Sequence, residues 1–95
     1  MSLPIEIRLQ VTAIVLAEEL SFTRAADRLK ITQPALSKRI VELESRVGFA
    51  IFKRDHRTVE LTNAGQVFIR GCKDSSALLE KAVRLASATI DDSVQ

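Results

Sequence analysis

The sequence has no tryptophan or tyrosine, and it has only one cysteine and one histidine among 95 residues. A single cysteine excludes an internal disulfide and is typical of a reducing compartment, so we expect a cytoplasmic location. His56 and Cys72 lack a third partner that would complete a metal site or a nucleophilic triad. The three glycines are dispersed, which argues against a glycine-rich phosphate loop. We therefore expect no enzyme, no cofactor and no bound metal.

Long hydrophobic runs are missing too. No apolar run approaches the roughly 20 residues of a membrane-spanning helix, so no membrane partner is expected. With 46% hydrophobic and 27% charged residues, the composition is that of a globular protein. A chain of this length can build only a modest core, which favours support from a second subunit.

Positive charge is concentrated in the middle of the chain, although the net charge is only +2. Residues 22–57 contain nine lysines and arginines and four acids, whereas the flanking segments contain five basic and eight acidic residues. This asymmetry favours a local surface for a polyanion. Charge counting leaves open the alternative of an ordinary solvated surface.

Apolar residues spaced by about four positions predict a first helix over 4–19, with Pro4 at its start. The members of this stripe are Ile5, Leu9, Ala13, Leu16 and Leu20. Ser21 and Thr32 are N-cap candidates for two further helices, over 22–29 and 33–47. The buried face of the latter is expected to hold Leu36, Ile40, Leu43 and Val47. These two helices and the tight turn between them form a helix-turn-helix pattern.

Two short β-prone runs follow, with a polar segment between them. They predict a hairpin, or wing, over 53–58, with a polar turn at 55–58 and four basic residues at or near its tip. Basic side chains at a hairpin tip suit a minor groove or phosphates, and the alternative is a solubilising loop. The basic residues of this segment are Lys53, Arg54, His56 and Arg57.

Thr62 is an N-cap candidate for a long helix over 63–90, and residues 91–95 are expected to fray. At 1.5 Å per residue the helix would span about 42 Å, more than the compact part needs. Its heptad-like stripe favours pairing with a second copy, and folding back over the first helix is a compatible alternative. The stripe consists of Phe68, Cys72, Ser75, Leu79, Ala82, Ala86 and Thr89.

The first turn of the helix over 33–47 carries groups that suit DNA. In a helix-turn-helix unit the second helix lies in the major groove, with its N-terminal residues toward the bases. Gln33 can pair with adenine, and Lys38 can reach guanine or phosphate. Ser37 can reach a base or a phosphate, and Pro34 can contact a thymine methyl group. Thr23 and Arg24, at the start of the preceding helix, are placed for backbone contacts.

Residues 21–65 resemble the N-terminal domain of LysR-type transcriptional regulators. The resemblance rests on four segments in order and at family spacing: SFTRAA, TQPALSKRI..LE..VG, F.R and LT.AG. It implies a winged helix-turn-helix and a linker helix that pairs antiparallel with its twin. It also implies that full-length relatives carry a C-terminal domain for a small-molecule co-inducer. That domain is absent from this sequence, and we expect an excised fragment of a protein that is tetrameric at full length.

Carried over by the resemblance, DNA contacts fall on Gln33, Pro34, Ser37 and Lys38, on Arg54 and Arg57, and on Thr23 or Arg24. Arg39 stands where relatives often have glutamine, so Lys38 and Arg39 are both candidates to enter the groove. A helical wheel places Arg39 nearer the core edge, which favours Lys38.

Together these patterns predict a mainly α fold: a winged helix-turn-helix over 1–62 and a dimerisation linker helix over 63–95. The first functional hypothesis is sequence-specific binding of double-stranded DNA by a homodimeric bacterial transcription regulator. The recognition helix would lie in the major groove and the wing on the minor groove or backbone. The second hypothesis is a helical dimerisation module whose basic face binds an acidic protein partner, because a fold alone does not define a function.

Overall fold

The computed structural model describes residues 5–90 and, within them, has four helices and one antiparallel hairpin. In chain order these are α1 Ile7–Glu19, α2 Phe22–Leu29, α3 Gln33–Val47, β1 Phe52–Arg54, β2 Val59–Leu61 and α4 Asn63–Ala88. The expected mainly α, winged helix-turn-helix fold with a long last helix is confirmed. The first helix, predicted over 4–19, begins at Ile7 instead, because Glu6 is extended and is its N-cap residue, and the last helix, predicted over 63–90, ends at Ala88. Pro4 itself and residues 91–95, the predicted frayed end, lie outside the described residues.

Side-chain caps start three helices at the residues that the sequence predicts. Each cap oxygen accepts an amide hydrogen that has no partner inside the helix. The three bonds are Arg24 N–H to Ser21 Oγ at 3.2 Å, Ala35 N–H to Thr32 Oγ1 at 3.2 Å and Gly65 N–H to Thr62 Oγ1 at 2.8 Å. Gly48 ends α3 in the left-handed region, at φ 87°. The predicted bounds of α2 and α3 therefore agree with the structure.

The core lies between α1, α2 and α3 and is closed by β1 and the first half of α4. Its fully buried large aliphatic side chains are Leu9, Leu16, Leu36, Ile40, Leu43 and Ile51. The prediction that Leu20 continues the buried stripe of α1 is wrong, because this side chain is 45% exposed. Helix α1 ends at Glu19, and left-handed Leu20, with φ 49°, turns the chain away before its side chain reaches the core.

Only the first half of α4 packs against the rest of the chain. Ile69 and Cys72 are buried, whereas every described residue after Ser76 is exposed. The stripe predicted for pairing with a second copy does not include Ile69, which is buried because α4 contacts the hairpin as well as α1, and Ile69 lies beside Leu61 of β2. The described chain is 58 Å in its longest dimension, which agrees with a helix that projects from a small core.

The Glu44 carboxylate joins α3 to the hairpin. Its Oε2 accepts the amide hydrogens of Ile51 at 2.7 Å and Phe52 at 3.2 Å. Its Oε1 lies 3.8 Å from Arg54 Nη2, and the Glu44 side chain is only 18% exposed. Because both amides belong to the segment that enters β1, one side chain sets the position of the wing relative to α3.

A second joint connects the hairpin to α4. The Thr62 amide donates to the Ile51 carbonyl at 3.0 Å, and the Thr62 hydroxyl donates to the Ala50 carbonyl at 2.7 Å. Gly65 lies so near that an added Cβ would come within 2.9 Å of the Ile51 carbonyl carbon. Glycine is required there because any side chain would push α4 away from this segment. Ile51 is thus the point where α3, the hairpin and α4 meet.

The Glu44→Ala substitution should lower the free energy of unfolding by about 2 kcal/mol, because it leaves two backbone amides without their charged acceptor. Urea unfolding followed by circular dichroism measures this change.

Glu42→Ala is the matched control on the same helix. Glu42 pairs with Arg46 at 2.9 Å and with Arg8 at 3.9 Å. Such surface pairs contribute about 0–1 kcal/mol. Equal losses in the two variants would contradict the structural role of Glu44.

Candidate nucleic-acid interface

The turn between α2 and α3 sets the direction of the second helix. Lys30 adopts the left-handed conformation at φ 58°, and the Ile31 amide donates to the Ala26 carbonyl at 3.0 Å. The half-buried Ile31 side chain packs against the core. Thr32 caps α3 directly after this turn, so the turn sets where the first residues of α3 lie on the surface.

Gln33 and Pro34 are exposed at the start of α3. The Gln33 side-chain amide donates to the Thr23 hydroxyl at 3.3 Å, so the first turns of α2 and α3 are tied together. Ser37, one turn further along, is half-buried and lines the same open groove as Gln33 and Pro34. The structure therefore brings three of the predicted site residues together.

Lys38 and Arg39 have different surroundings. Lys38 is exposed on the outer face of α3. Arg39 is half-buried, and its Nη1 donates to the hydroxyl of buried Thr12 at 3.4 Å. This contact directs the Arg39 guanidinium toward α1, which favours Lys38 as the group that faces a ligand.

The two predicted wing arginines lie in different places. Arg54, at the end of β1, borders the groove that holds Gln33, Pro34 and Ser37. Arg57 lies in the hairpin turn, beside a second depression formed with the start of α2. The structure thus does not bring Arg54 and Arg57 into one cluster.

The hairpin turn is closed by Asp55. Its Oδ1 accepts hydrogen bonds from the Arg57 amide at 2.8 Å, the Thr58 amide at 2.9 Å and the Thr58 hydroxyl at 3.2 Å. These bonds, the Arg57 amide first, lower the pKa of the Asp55 carboxyl below its ordinary value of 3.8. The turn leaves His56 and Arg57 exposed at the tip.

Two acids at the end of α1 restrain the arginines of α2. Arg24 Nε lies 3.3 Å from Glu19 Oε1, and Arg24 Nη2 donates to the Glu19 carbonyl at 2.9 Å. Arg28 Nη1 lies 2.8 Å from Glu18 Oε1 and 3.1 Å from Glu19 Oε2. The bonds to Glu18 and Glu19 raise the pKa of the Arg28 guanidinium. Arg24 is therefore held at the edge of the predicted site, with its guanidinium on Glu19.

Three other kinds of feature bear on function: a reactive thiol, a metal site and a membrane-spanning helix. Cys72 is buried, and this burial raises the pKa of its thiol, so the thiolate form is disfavoured. Among residues 5–90, no three His, Cys, Asp or Glu side chains come together as a metal site would require. Within the same residues, none of the helices has the length and apolar character needed to cross a membrane.

Sequence reasoning missed Phe22 and Glu44 as parts of the site. The Arg54 guanidinium lies over the Phe22 ring, 5.1 Å from its centroid, and its Nη2 lies 3.8 Å from Glu44 Oε1. Phe22 is partly buried and also packs against the core. Their positions in SFTRAA and LE offered a signal, because both segments belong to the family pattern, but the pattern does not say which residues touch.

Residues 7–66 match the family model described as bacterial regulatory helix-turn-helix protein, lysR family. The chain is 45% identical over 76 residues to the HTH-type transcriptional regulator AlsR of Bacillus subtilis, covering 80% of this chain and 25% of AlsR. It is 48% identical over 77 residues to the regulator BudR of Klebsiella aerogenes, covering 77% and 54%. The chain thus spans a quarter to about half of the length of these relatives.

Solved structures show the same similarity. The BenM DBD/benA site 1 DNA complex superposes with a TM-score of 0.85 at 32% identity, covering 88% of this chain and 94% of that one. The CbnR DBD–DNA complex gives a TM-score of 0.84 at 30% identity, covering 88% and 97%. Both similar chains were solved with DNA.

Protonation of Asp55 should open the hairpin turn. The pKa of Asp55 is lower in the folded protein than its ordinary value of 3.8. The ionised carboxylate therefore stabilises the turn fully above pH 3.8, and this stabilisation is lost as the pH falls through the lower pKa of the folded state. Amide resonances of Arg57 and Thr58, followed by NMR from neutral to acidic pH, should therefore shift with a midpoint below 3.8.

Asp55→Asn is the control, because its amide oxygen can still accept hydrogen bonds but the side chain does not titrate. The same two resonances should lose this transition in the variant. A wild-type midpoint above 3.8 would contradict the assignment.

Proposed function

The chain belongs to the LysR family of bacterial helix-turn-helix regulators, and from that membership we propose that it binds double-stranded DNA sequence-specifically as a homodimer and regulates transcription. The observation that carries the proposal is the start of α3, where exposed Gln33 and Pro34 and half-buried Ser37 line one open groove and exposed Lys38 follows on the same helix. A helix presented this way fits the major groove. The DNA complexes of the similar BenM and CbnR domains support it.

Within α3, Gln33 is the proposed reader of a base. Its bond to Thr23 uses one amide hydrogen, so the second hydrogen and the carbonyl oxygen remain for a bidentate pair with adenine. Pro34 supplies contact to a thymine methyl group. Ser37 and Lys38 bind a base edge or a phosphate, and Lys38 rather than Arg39 enters the groove.

Arg57 is the proposed wing contact to the minor groove or the backbone. Its exposed position at the turn, next to the start of α2, supports this role. Thr23 and Arg24 lie across the same depression and are assigned backbone contacts. Arg54 contacts DNA from the groove beside α3.

The proposed homodimer is supported by an apolar surface on α1 and the free half of α4. Ile7 and Val11 of α1 line one shallow cavity with Leu78 and Leu79 of α4. Further exposed apolar side chains follow along the chain, Val83 and Leu85 in α4 and Ile90 just beyond it. Covering so much apolar surface with a second copy is favourable.

We place the boundary between the two parts of the chain at Thr62. Residues 1–62 form the DNA-binding unit in this proposal, and residues 63–95 form the dimerisation linker. We further propose, from the family, that a full-length form binds a small-molecule co-inducer through a C-terminal domain and assembles as a tetramer.

Gln33→Ala and Arg57→Ala should affect DNA binding in different ways. Gln33→Ala should relax preference at one base position, losing about 1–3 kcal/mol of discrimination. Arg57→Ala should weaken all sequences alike and reduce the salt dependence by about one counterion. Selection from a random duplex library, followed by titrations at several salt concentrations, measures both effects.

If both variants changed affinity equally for selected and random DNA, the division of roles would be wrong. Absence of any gel shift with random duplex at low salt would instead favour the acidic-protein partner.

Leu79→Glu should dissociate the dimer, because it places a charge within the apolar surface of α1 and α4. Light scattering after size exclusion should then give the monomer mass. Ala77→Glu adds the same charge about 200° around the helix and should leave the dimer intact. A wild-type protein that stays monomeric at high micromolar concentration would contradict the linker-helix proposal.

A further inference from the structure

Three elements converge on the Arg54 guanidinium. It lies over the ring of Phe22, the first residue of α2, with 5.1 Å between the guanidinium carbon and the ring centroid. One of its nitrogens lies 3.8 Å from Glu44 Oε1 on α3. Arg54 itself ends β1, and its side chain is 31% exposed. A flexible side chain on a short strand is therefore restrained by both helices of the helix-turn-helix unit.

The restraint orients Arg54 without occupying its donors. A cation over an aromatic face is attracted by the ring quadrupole and needs no N–H bond. The distance to Glu44 is at the limit of an ion pair, and the other Glu44 oxygen is bound to the Ile51 and Phe52 amides. Within residues 5–90 no hydrogen bond engages the Arg54 guanidinium. Its five N–H groups stay available for an anion.

The restrained guanidinium borders the groove of the recognition helix. Gln33, Pro34 and Ser37 line this groove together with Phe22 and Arg54. Arg57 faces the other depression, beyond the start of α2. A phosphate that flanks the bases read by α3 would therefore meet Arg54, and the phosphate at the wing tip would meet Arg57.

We propose that Phe22 and Glu44 are positioning residues that hold Arg54 ready to bind a DNA phosphate beside the recognition helix. The inference rests on the proposed function and deepens it. An arginine already held in its bound position loses less side-chain freedom on binding, so the restraint increases the affinity for DNA. It also couples the wing to the helix-turn-helix unit, because the phosphate contact forms only where β1, α2 and α3 keep their relative positions.

A double-mutant cycle tests the proposal. The probe is a mixed-sequence duplex of about 40 base pairs, roughly four helical turns, bound by the full 95-residue chain at several salt concentrations. Phe22→Leu keeps an apolar side chain but removes the ring, and should weaken binding about two- to fivefold. Arg54→Ala should weaken binding to all sequences and lower the salt slope by about one. In the Arg54→Ala background, Phe22→Leu should have no further effect.

Two controls separate positioning from packing. Phe22→Tyr keeps the ring face and should retain wild-type affinity. Phe49 is another partly exposed ring; it packs edge-on against Phe68, with 5.9 Å between the ring centroids. Phe49→Leu should change the affinity for DNA equally in the wild-type and the Arg54→Ala backgrounds. Thermal unfolding without DNA identifies any variant whose fold is lost.

The outcomes are distinct. An equal loss from Phe22→Leu in both backgrounds, or no loss in either, would overturn the positioning role. Wild-type affinity in Arg54→Ala would overturn the phosphate contact, and a changed base preference in that variant would assign Arg54 to a base instead. Failure of the wild-type protein to bind any duplex would refute the proposed function itself, and the inference with it.

Discussion

The hydrogen bonds from the Ile51 and Phe52 amides to Glu44 are the constraint on which the interface depends. A two-stranded hairpin of three residues per strand is marginal by itself. The Glu44 carboxylate ties its first strand to α3, and Thr62 and Gly65 bring α4 against the same segment. Because these contacts meet at Ile51, a shift of the wing would disturb α3 and α4 as well.

Acidic neighbours distinguish two kinds of basic residue on the surface. Acids hold several arginines in place: Glu44 faces Arg54, and Glu19 binds Arg24. Arg57 and Lys38 remain exposed at the turn and on α3. The basic surface thus combines guanidinium groups oriented by neighbouring side chains with basic groups that are simply exposed. The oriented groups suit contacts that require defined geometry, whereas the exposed groups suit attraction of a polyanion at longer range.

The cap predictions, which depend on interactions between near neighbours in sequence, agree with the structure, whereas contacts between distant residues were not predicted. Local signals located the starts of α2, α3 and α4, because a cap acts through an amide only three residues away. Periodicity failed where the chain changed direction or gained a second neighbour, so Leu20 is exposed and Ile69 is buried. The sequence predicts the candidate recognition residues individually, but not the partners of Gln33, Arg39 and Arg54. Those partners lie 10 to 32 residues away in sequence.

The sequence by itself determined the starts of α2, α3 and α4, the wing, the family and the kinds of groups at the candidate site. These follow from caps, spacing and side-chain chemistry, which are properties of neighbouring residues. Only the tertiary structure decided that Arg39 turns toward Thr12, that Arg54 lies over Phe22 and faces Glu44, and that the two wing arginines occupy separate depressions. The physical reason is that a long basic side chain reaches several possible partners, and packing of distant elements selects among them.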